Sequence, residues 1–219
     1  IVQILFFDEL YKVSPQQYKV AVFGLGFVGL TLSLVMASKG YEVFGVEKNP
    51  KIIKKLRSKK STFYEKDIKK YINNFINKKF YVQEDLKDLE VNVYIISVGT
   101  PVSKLKNTDF SNLKKVSKII SQNINKKDLI ILRSTVEIGT TSKVVIPIIE
   151  KYSKLIAGKD FNIAFCPERT IEGNALNELQ SLPQLIGGYT EACYLAASNF
   201  FSFFSKTIIN MGSTEYAEI

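Results

Sequence analysis

The stretch Lys19-Val-Ala-Val-Phe-Gly-Leu-Gly-Phe-Val-Gly-Leu30 decides the fold of this chain. Its apolar run 20–23 predicts a buried strand, and the apolar segment 27–37 predicts a helix packed on a sheet. Three glycines at G-x-G-x-x-G spacing separate the two. A second apolar strand, 42–46, ends in Glu47. This order of strand, glycine turn, helix, strand and acid is typical of a dinucleotide-binding unit, although a purely structural glycine turn is the alternative.

Each glycine of the turn has a distinct expected role. Gly24 allows the tight turn, Gly26 lets a pyrophosphate approach the backbone, and Gly29 lets the helix pack closely on the strand. The N–H groups and the positive dipole end of the helix then face the phosphates. Glu47 is placed to accept hydrogen bonds from an adenosine ribose and to disfavour a 2′-phosphate, which predicts NAD rather than NADP. Lys48 beside it weakens that preference, because it adds a positive charge.

The composition narrows the possible functions. The 219 residues, 46% of them hydrophobic, suffice for one large domain, or for one domain and the start of another. The absence of histidine excludes a histidine-dependent dehydrogenase mechanism within the chain. The two cysteines, Cys166 and Cys193, cannot build a disulfide framework and predict a cytoplasmic location. No apolar run is long enough to predict a transmembrane helix.

The net charge of +9 raises the question of a nucleic-acid partner. Basic residues crowd 51–60 and recur at 66–79, but they are mixed with asparagine and isoleucine. No aromatic RNA-binding motif or helix-turn-helix signal accompanies them. We interpret them as a solvated face and expect no nucleic-acid partner, no membrane partner and no metal site. Attraction of an anionic substrate is a secondary effect.

Apolar strands and helical patterns alternate along the chain. Strands are predicted at 19–23, 42–46, 80–82, 92–98, 128–132, 162–165, 184–187 and 207–209. Helices are predicted at 27–39, 50–58, 65–78, 110–123, 140–156, 173–180 and 190–205. This alternation predicts an α/β fold, a Rossmann-like doubly wound and mostly parallel sheet with helices on both faces. We expect an N-terminal extension at 1–17, a dinucleotide-binding domain at 18–210 and the start of a further domain at 211–219.

The residues that could carry chemistry follow directly after predicted strands. In an open parallel sheet, ligands bind at the carboxyl ends of the strands. Besides the glycine turn and Glu47, three segments are predicted to lie at these carboxyl ends: Gly99-Thr-Pro101, Arg133-Ser-Thr135 and Cys166-Pro-Glu-Arg169. We therefore expect segments from distant parts of the sequence to meet at one edge of the sheet.

Taken alone, these side chains allow two interpretations. Ser134 and Thr135 either offer hydroxyls to a ligand or cap the following helix. Glu168 and Glu172 either position or deprotonate water near a nicotinamide, or they are a pair of surface acids. Cys166 lies beside an acid and near an arginine, but no histidine or helix start marks its thiol as activated. We interpret Cys166 as a packed residue.

Six segments match, in order and spacing, the motifs of one protein family. They are Gly24-Leu-Gly-Phe-Val-Gly29, Ser97-Val-Gly-Thr-Pro101, Ser134-Thr-Val-Glu-Ile-Gly-Thr-Thr141, Pro167-Glu-Arg-Thr-Ile-Glu-Gly173, Leu182-Pro-Gln-Leu-Ile-Gly-Gly188 and Ser213-Thr-Glu-Tyr-Ala-Glu218. Together they resemble the UDP-glucose/GDP-mannose dehydrogenase family, the nucleotide-sugar 6-dehydrogenases. The resemblance implies NAD as cofactor and a nucleotide sugar as substrate.

The resemblance also implies a reaction. The family oxidises the sugar C6 alcohol to a carboxylate with two NAD⁺ and without releasing the aldehyde. A catalytic cysteine traps the aldehyde as a thiohemiacetal, hydride loss gives a thioester, and water hydrolyses it. By motif, Glu168 corresponds to the carboxylate that activates the water, and Thr135 to the hydroxyl that holds water and substrate. Glu172 corresponds to an acid on the nicotinamide side, and the loop 99–101 lies along the cofactor.

These arguments define a predicted site. The catalytic residues are Glu168 and Thr135, and the substrate-binding residue is Arg169. The cofactor-binding residues are Gly24, Gly26, Phe27, Val28, Gly29, Glu47, Lys48, Val98, Gly99, Thr100, Pro101, Ser134, Thr135 and Glu172.

The sequence also bears on the sugar. Family members that act on UDP-glucose usually have Asn-Pro-Glu-Phe where this chain has Cys166-Pro-Glu-Arg169. With Gly173-Asn-Ala-Leu176, the segment is more similar to members that act on UDP-N-acetylhexosamines. An arginine in place of phenylalanine adds a cation with several donors, which suits a more polar or anionic sugar environment.

The chain departs from the family pattern in two places. Ile138 stands where proline is usual, which touches no chemistry. The family continues past Ala-Glu to a lysine, an asparagine and a glycine-rich segment with the nucleophilic cysteine, whereas this chain ends at Ile219. We expect the chain to be inactive alone and the parent enzyme to be a homodimer or larger through its central domain. A hydroxyacid or 6-phosphogluconate-type dehydrogenase and a non-catalytic NAD-sensing module remain alternatives.

Overall fold

The computed structural model describes residues 14–102 and 108–219. Most of the predicted N-terminal extension lies outside these residues, which begin just before a 3-10 turn at Pro15–Gln17. The strands are β1 (Lys19–Phe23), β2 (Glu42–Val46), β3 (Phe80–Gln83), β4 (Val93–Ile96), β5 (Leu129–Leu132), β6 (Asn162–Phe165), β7 (Gln184–Gly188) and β8 (Ile208–Asn210). The helices are α1 (Phe27–Ser38), α2 (Pro50–Arg57), α3 (Ile68–Phe75), α4 (Ser111–Ser121), α5 (Ile146–Ser153), α6 (Ala175–Ser181), α7 (Glu191–Phe201) and α8 (Thr214–Ala217).

The strands form one sheet in the order β3-β2-β1-β4-β5-β6-β7-β8. Strands β1 to β6 pair in parallel, β7 runs antiparallel to β6, and β8 is parallel to β7. Val20 of β1 pairs with Val43 of β2 on one side and with Val93 of β4 on the other. The strand order therefore reverses between β1 and β4, and this switch point opens a crevice at the carboxyl ends of the strands. The predicted doubly wound, mostly parallel sheet is confirmed.

Two apolar cores cover the sheet, one on each face. Helices α1, α2, α3, α6 and α7 contribute to one core, and α4, α5 and α8 to the other. Every residue of β4 and β5 is buried, because both faces of these central strands are covered. Among the helices that the structure describes, none is long and apolar enough to span a membrane.

Several predicted helices prove too long, for local backbone reasons. The helix predicted at 65–78 covers only Ile68–Phe75, because Asp67 and Asn77 at its two ends adopt left-handed backbone conformations. The helix predicted at 140–156 consists of a π-helical turn, Thr141–Val145, and α5. Helix α5 ends before Lys154, whose φ of 65° breaks the helical path.

Candidate dinucleotide and substrate site

The glycine turn joins β1 to α1 in a conformation that few other residues could adopt. Gly24 has a φ of +89°, and its N–H donates to the Val46 carbonyl at 2.9 Å. A Cβ on Gly29 would lie 1.9 Å from the Gly24 carbonyl oxygen, so the helix can approach the turn only without a side chain there. A Cβ on Gly26 would meet no atom of the described residues within 4 Å, apart from those of its chain neighbours. Gly26 therefore borders open space that a phosphate could enter.

The N-terminus of α1 faces this space, and no side chain of the described residues caps it. Its N-cap residue, Gly26, has no side chain to cap the first N–H groups, and the first turn contains no acidic residue. Such an end attracts anions. Phe27 packs edge-on against Phe63, with ring centroids 5.4 Å apart. The residues present thus fit the pyrophosphate of a dinucleotide.

Ser97 holds the glycine turn against β4, although it is absent from the predicted site residues. Its hydroxyl lies 2.9 Å from the Phe23 carbonyl oxygen and 3.0 Å from that of Gly24. A Cβ on Gly29 would also lie 2.6 Å from this hydroxyl. A polar side chain directly after a fully apolar strand is the sequence signal for such an anchor.

Glu47 is fixed at the end of β2 by backbone donors. Its Oε2 accepts from the Leu25 N–H at 2.8 Å, which ties the acid to the glycine turn. Its Oε1 accepts from the N–H groups of Lys48 at 2.8 Å and Asn49 at 2.9 Å. Each carboxylate oxygen has two lone pairs, so Oε2 keeps one for a ligand hydroxyl.

Glu47 lines an open cavity of about 660 Å³ beside α2. We call it the β2–β3 cavity, because it lies where those two strands end. Its lining residues are Glu47, Lys48, Pro50, Ile53, Lys54, Arg57, Ser58 and Glu84.

A second cavity, of about 620 Å³, opens at the ends of β4 and β5 and reaches the loop after β6. We call it the central cavity. Eight predicted site residues line it: Val28, Val98, Gly99, Thr100, Pro101, Ser134, Thr135 and Glu168. Ser97, Asn112 and Arg133 complete the lining. The fold thus brings together four segments that the sequence keeps far apart.

Side-chain hydrogen bonds join the loops around the central cavity. The Ser134 hydroxyl donates to the Val98 carbonyl at 2.7 Å, which connects the ends of β5 and β4. The Thr100 hydroxyl donates to the Thr135 carbonyl. Ser134 is thus not the cap of the following helix, which was one of its two interpretations. The Thr135 residue is exposed at the cavity.

Glu168 is held by four donors. Its Oε2 accepts from Arg133 Nε at 3.0 Å and Nη2 at 2.9 Å. Its Oε1 accepts from the N–H groups of Arg169 at 2.8 Å and Thr170 at 2.9 Å. Burial by itself would raise the pKa of Glu168, but Arg133 and the Thr170 N–H outweigh it and leave the pKa below its ordinary value of 4.5. Glu168 is therefore ionised at neutral pH.

Arg133 organises this part of the site and is missing from the predicted site residues. Its Nη1 donates to the Cys166 carbonyl at 3.3 Å and to Gln184 Oε1 at 3.1 Å. Its guanidinium carbon lies 5.8 Å from the centroid of the Phe201 ring. Only 2% of the Arg133 side chain is exposed. The sequence signal is a charged residue directly after the apolar strand β5, because a buried cation needs a partner.

The Cys166 thiol is not available for nucleophilic chemistry. The residue is fully buried, and burial raises its pKa to about 12, although Arg133 opposes the rise. Cys193 is also fully buried, in α7, where its sulfur accepts from the Thr190 hydroxyl at 3.2 Å. This agrees with the interpretation of Cys166 as a packed residue, and it shows that Cys193 is packed as well.

Arg169 and Glu172 lie outside the two cavities. Both are exposed in the loop between β6 and α6. The end of this loop is tied to the segment before α3, since Glu65 Oε2 accepts from the Gly173 N–H at 2.7 Å. Glu65 is 3% exposed, and its Oε1 has no hydrogen-bond partner among the residues that the structure describes. Nothing in the sequence singled out Glu65, because its contact spans 108 positions.

Three features together define a dinucleotide-binding domain of the dehydrogenase class. They are the crevice at the switch point of the sheet, the uncapped N-terminus of α1 after the glycine turn, and the acid that follows the second strand. Residues 18–205 match the family model described as the UDP-glucose/GDP-mannose dehydrogenase family, NAD binding domain. The chain belongs to this family, as the six motifs predicted, and its cofactor is NAD.

The chain is similar to several known proteins. It is 32% identical over 203 residues to a UDP-N-acetyl-D-mannosamine dehydrogenase of Pyrococcus horikoshii, covering 92% of this chain and 48% of the relative. It is 30% identical over 179 residues to a UDP-N-acetyl-D-glucosamine 6-dehydrogenase of Salmonella typhi, covering 80% and 40%. A solved UDP-D-ManNAc dehydrogenase from Pyrococcus horikoshii matches with a TM-score of 0.86 and 31% identity, covering 90% and 48%. The chain spans about half the length of the curated relatives it matches.

Proposed function

We propose that this chain forms the NAD-binding part of a nucleotide-sugar 6-dehydrogenase. The enzyme would oxidise the C6 alcohol of a UDP-sugar to the carboxylate with two NAD⁺. The observation that carries the proposal is the central cavity, because it places Thr135 and the ionised Glu168 beside the loop 98–101 and the start of α1. Bound NAD⁺ would supply the hydride acceptor there.

The proposed cofactor site extends along the crevice from one cavity to the other. The adenosine would lie in the β2–β3 cavity, with a ribose hydroxyl on Glu47 Oε2. The pyrophosphate would lie at Gly26 and the N-terminus of α1, and the nicotinamide in the central cavity. Eleven further predicted cofactor-binding residues are retained in this proposal: Gly24, Phe27, Val28, Gly29, Lys48, Val98, Gly99, Thr100, Pro101, Ser134 and Thr135. The cofactor role of Glu172 stays a prediction, because this residue lies outside both cavities.

Glu168 is proposed to act on the water that hydrolyses the thioester. Because Arg133 and two backbone N–H groups hold it in place and ionised, it presents a fixed negative charge at the cavity wall. Such a charge orients and polarises a water molecule without itself reorganising. All four lone-pair positions of the carboxylate are filled, so Glu168 acts on the water through its charge. A direct hydrogen bond from the water, or proton transfer to Glu168, would require one of these bonds to open.

The proposed substrate is a UDP-N-acetylhexosamine. The segment 166–169 and the acetamido sugars named in the two relatives support this choice. Arg169, exposed beside Glu168, is proposed to contact the sugar or its diphosphate. The nucleophilic cysteine is proposed to lie outside this chain, because Cys166 and Cys193 are both fully buried. By itself, the chain would then bind NAD without turning over.

The first prediction tests Glu168 in the full-length enzyme. The Glu168→Gln variant should hydrolyse the thioester at least about a hundredfold more slowly, because the negative charge of Glu168 that polarises the water is lost. A covalent sugar–enzyme adduct should then build up, visible by mass spectrometry of the intact protein. The wild-type enzyme should reduce two NAD⁺ for each UDP-N-acetylhexosamine consumed.

The control is Glu191→Gln, which changes an exposed carboxylate in the first turn of α7, outside the central cavity. It should turn over without an adduct. Unchanged turnover in Glu168→Gln would contradict the role of Glu168. A stoichiometry of one NADH per substrate would instead favour a hydroxyacid-type dehydrogenase.

A further inference from the structure

The β2–β3 cavity contains more charge than a neutral adenosine requires. Five of its lining residues are ionisable: Glu47, Lys48, Lys54, Arg57 and Glu84. The three cations outnumber the two acids, and Lys48 and Lys54 are exposed. A cavity with this charge would be expected to attract a phosphate. The acid Glu47 by itself is therefore a weak barrier to a dinucleotide with a 2′-phosphate.

Arg57 is the cation best suited to bind such a phosphate, because its planar fork matches phosphate oxygens. The structure shows that Arg57 is already engaged. Its Nη1 donates to Glu84 Oε1 at 3.2 Å, and its Nη2 donates to the Val82 carbonyl at 3.3 Å. Glu84 follows directly after β3, so the end of that strand supplies both acceptors.

We propose that Glu84 is a second specificity-determining residue for the cofactor, because it withholds Arg57 from a 2′-phosphate. Glu47 repels the 2′-phosphate, and Glu84 engages Arg57, the cation that would otherwise offset this repulsion. The effect is moderate, since the side chains of Arg57 and Glu84 are 51% and 63% exposed and an exposed ion pair is weak. This inference rests on the placement of the adenosine in the β2–β3 cavity, which is part of the proposed function.

The second prediction is measured by calorimetry of NAD⁺ and NADP⁺ binding to this chain at low ionic strength. Glu84→Gln should raise the affinity for NADP⁺ relative to that for NAD⁺ about fivefold. Replacement of Arg57 by methionine in the same background should remove the gain. The gain should also shrink in 0.5 M salt, because the interaction is screened.

The matched control is Glu90→Gln, which changes the net charge equally. Glu90 lies at the amino ends of the strands, with its Oε2 3.9 Å from Lys19 Nζ, and its side chain is 96% exposed. An equal NADP⁺ gain in Glu84→Gln and Glu90→Gln would overturn the inference, as would a gain that persists without Arg57. Failure of the wild-type chain to bind NAD⁺ would instead contradict the proposed function itself.

Discussion

Glu168 and Arg133 show how a single buried pair defines the chemistry of a site. The carboxylate is 10% exposed and the guanidinium 2%, so each would be unfavourable without the other. Because the pKa of Glu168 is lowered in the folded state, the pair stabilises the fold above pH 4.5 and this stability is lost as the pH falls below it. Arg133 of this pair also donates to the Cys166 carbonyl at 3.3 Å, and Cys166 itself is fully buried in the apolar core.

The third prediction concerns the two thiols. In the native chain at pH 8, neither Cys166 nor Cys193 should react with a disulfide reagent within minutes, because both are fully buried and a pKa of about 12 keeps Cys166 protonated. Both should react at once in denaturant. The number of reacted cysteines is measured from the coloured thiolate that the reagent releases. Rapid modification of Cys166 in the folded chain would show that its thiol is accessible and would reopen its role as a nucleophile.

At the scale of elements, the unit β1–turn–α1 contains glycines that are needed for two different reasons, close packing and access for a ligand. Gly29 is required by packing, since the Gly24 carbonyl and the Ser97 hydroxyl occupy the place of a side chain. Gly26 is not required by packing, because it borders open space. Its φ of −69° is also accessible to any residue. The two glycines therefore serve the fold and the ligand respectively.

The fourth prediction compares Gly29→Ala with Gly26→Ala. Gly29→Ala should lower the free energy of unfolding by at least about 2 kcal/mol, because its Cβ would overlap the backbone of the turn. Gly26→Ala should leave stability within about 0.5 kcal/mol and weaken NAD⁺ binding at least tenfold, because its Cβ would occupy the space proposed for the pyrophosphate. Denaturant unfolding and calorimetry check both. Normal NAD⁺ binding by Gly26→Ala would contradict the proposed position of the pyrophosphate.

At the scale of the whole molecule, two buried carboxylates at opposite ends of the strands, Glu168 and Asp128, have pKa values shifted in opposite directions. Glu168 at the carboxyl edge has a lowered pKa. Asp128 precedes β5 at the amino edge and is 6% exposed. Its Oδ2 accepts from the Asn125 N–H at 2.7 Å, but burial dominates and raises its pKa to about 6. The surroundings of Glu168 thus stabilise its negative charge, whereas burial disfavours the charge on Asp128.

The fifth prediction follows from the raised pKa of Asp128. Between pH 4 and pH 6 the folded chain holds a proton that the unfolded chain has released, so the contribution of Asp128 to stability falls as the pH rises through this range. Relative to Asp128→Asn, the wild-type free energy of unfolding should fall by on the order of 1–3 kcal/mol. Urea unfolding at pH 4, 5, 6 and 7 measures this difference. Asp88→Asn, at an exposed position, should show no such trend.

The domain division at 17/18 and 210/211 stays a prediction. Residues 211–219 nevertheless bond to the segment before α5 within the described chain. Glu218 Oε1 accepts from the Thr141 N–H at 2.8 Å and hydroxyl at 2.6 Å, and Oε2 accepts from the Gly139 N–H. Two of the six family motifs therefore meet in space, which their separation in sequence does not reveal.

The local patterns of the sequence were sufficient for the elements and their order. The strands at 19–23, 42–46 and 162–165 have the predicted bounds, because each is a short apolar run between turn residues. Helix ends were less predictable. The ends of α3 depend on left-handed residues at 67 and 77, which carry no strong sequence signal.

The sequence by itself determined the α/β class, the glycine turn, the family and NAD, because these depend on residue types at short, regular spacings. Only the tertiary structure decided that Arg133 holds Glu168 ionised, that Glu65 ties down Gly173, and that Glu84 occupies Arg57. The physical reason is that burial and charge partners arise from residues far apart in the chain. A pattern shows which groups are present, whereas the fold sets their distances and their exposure to water.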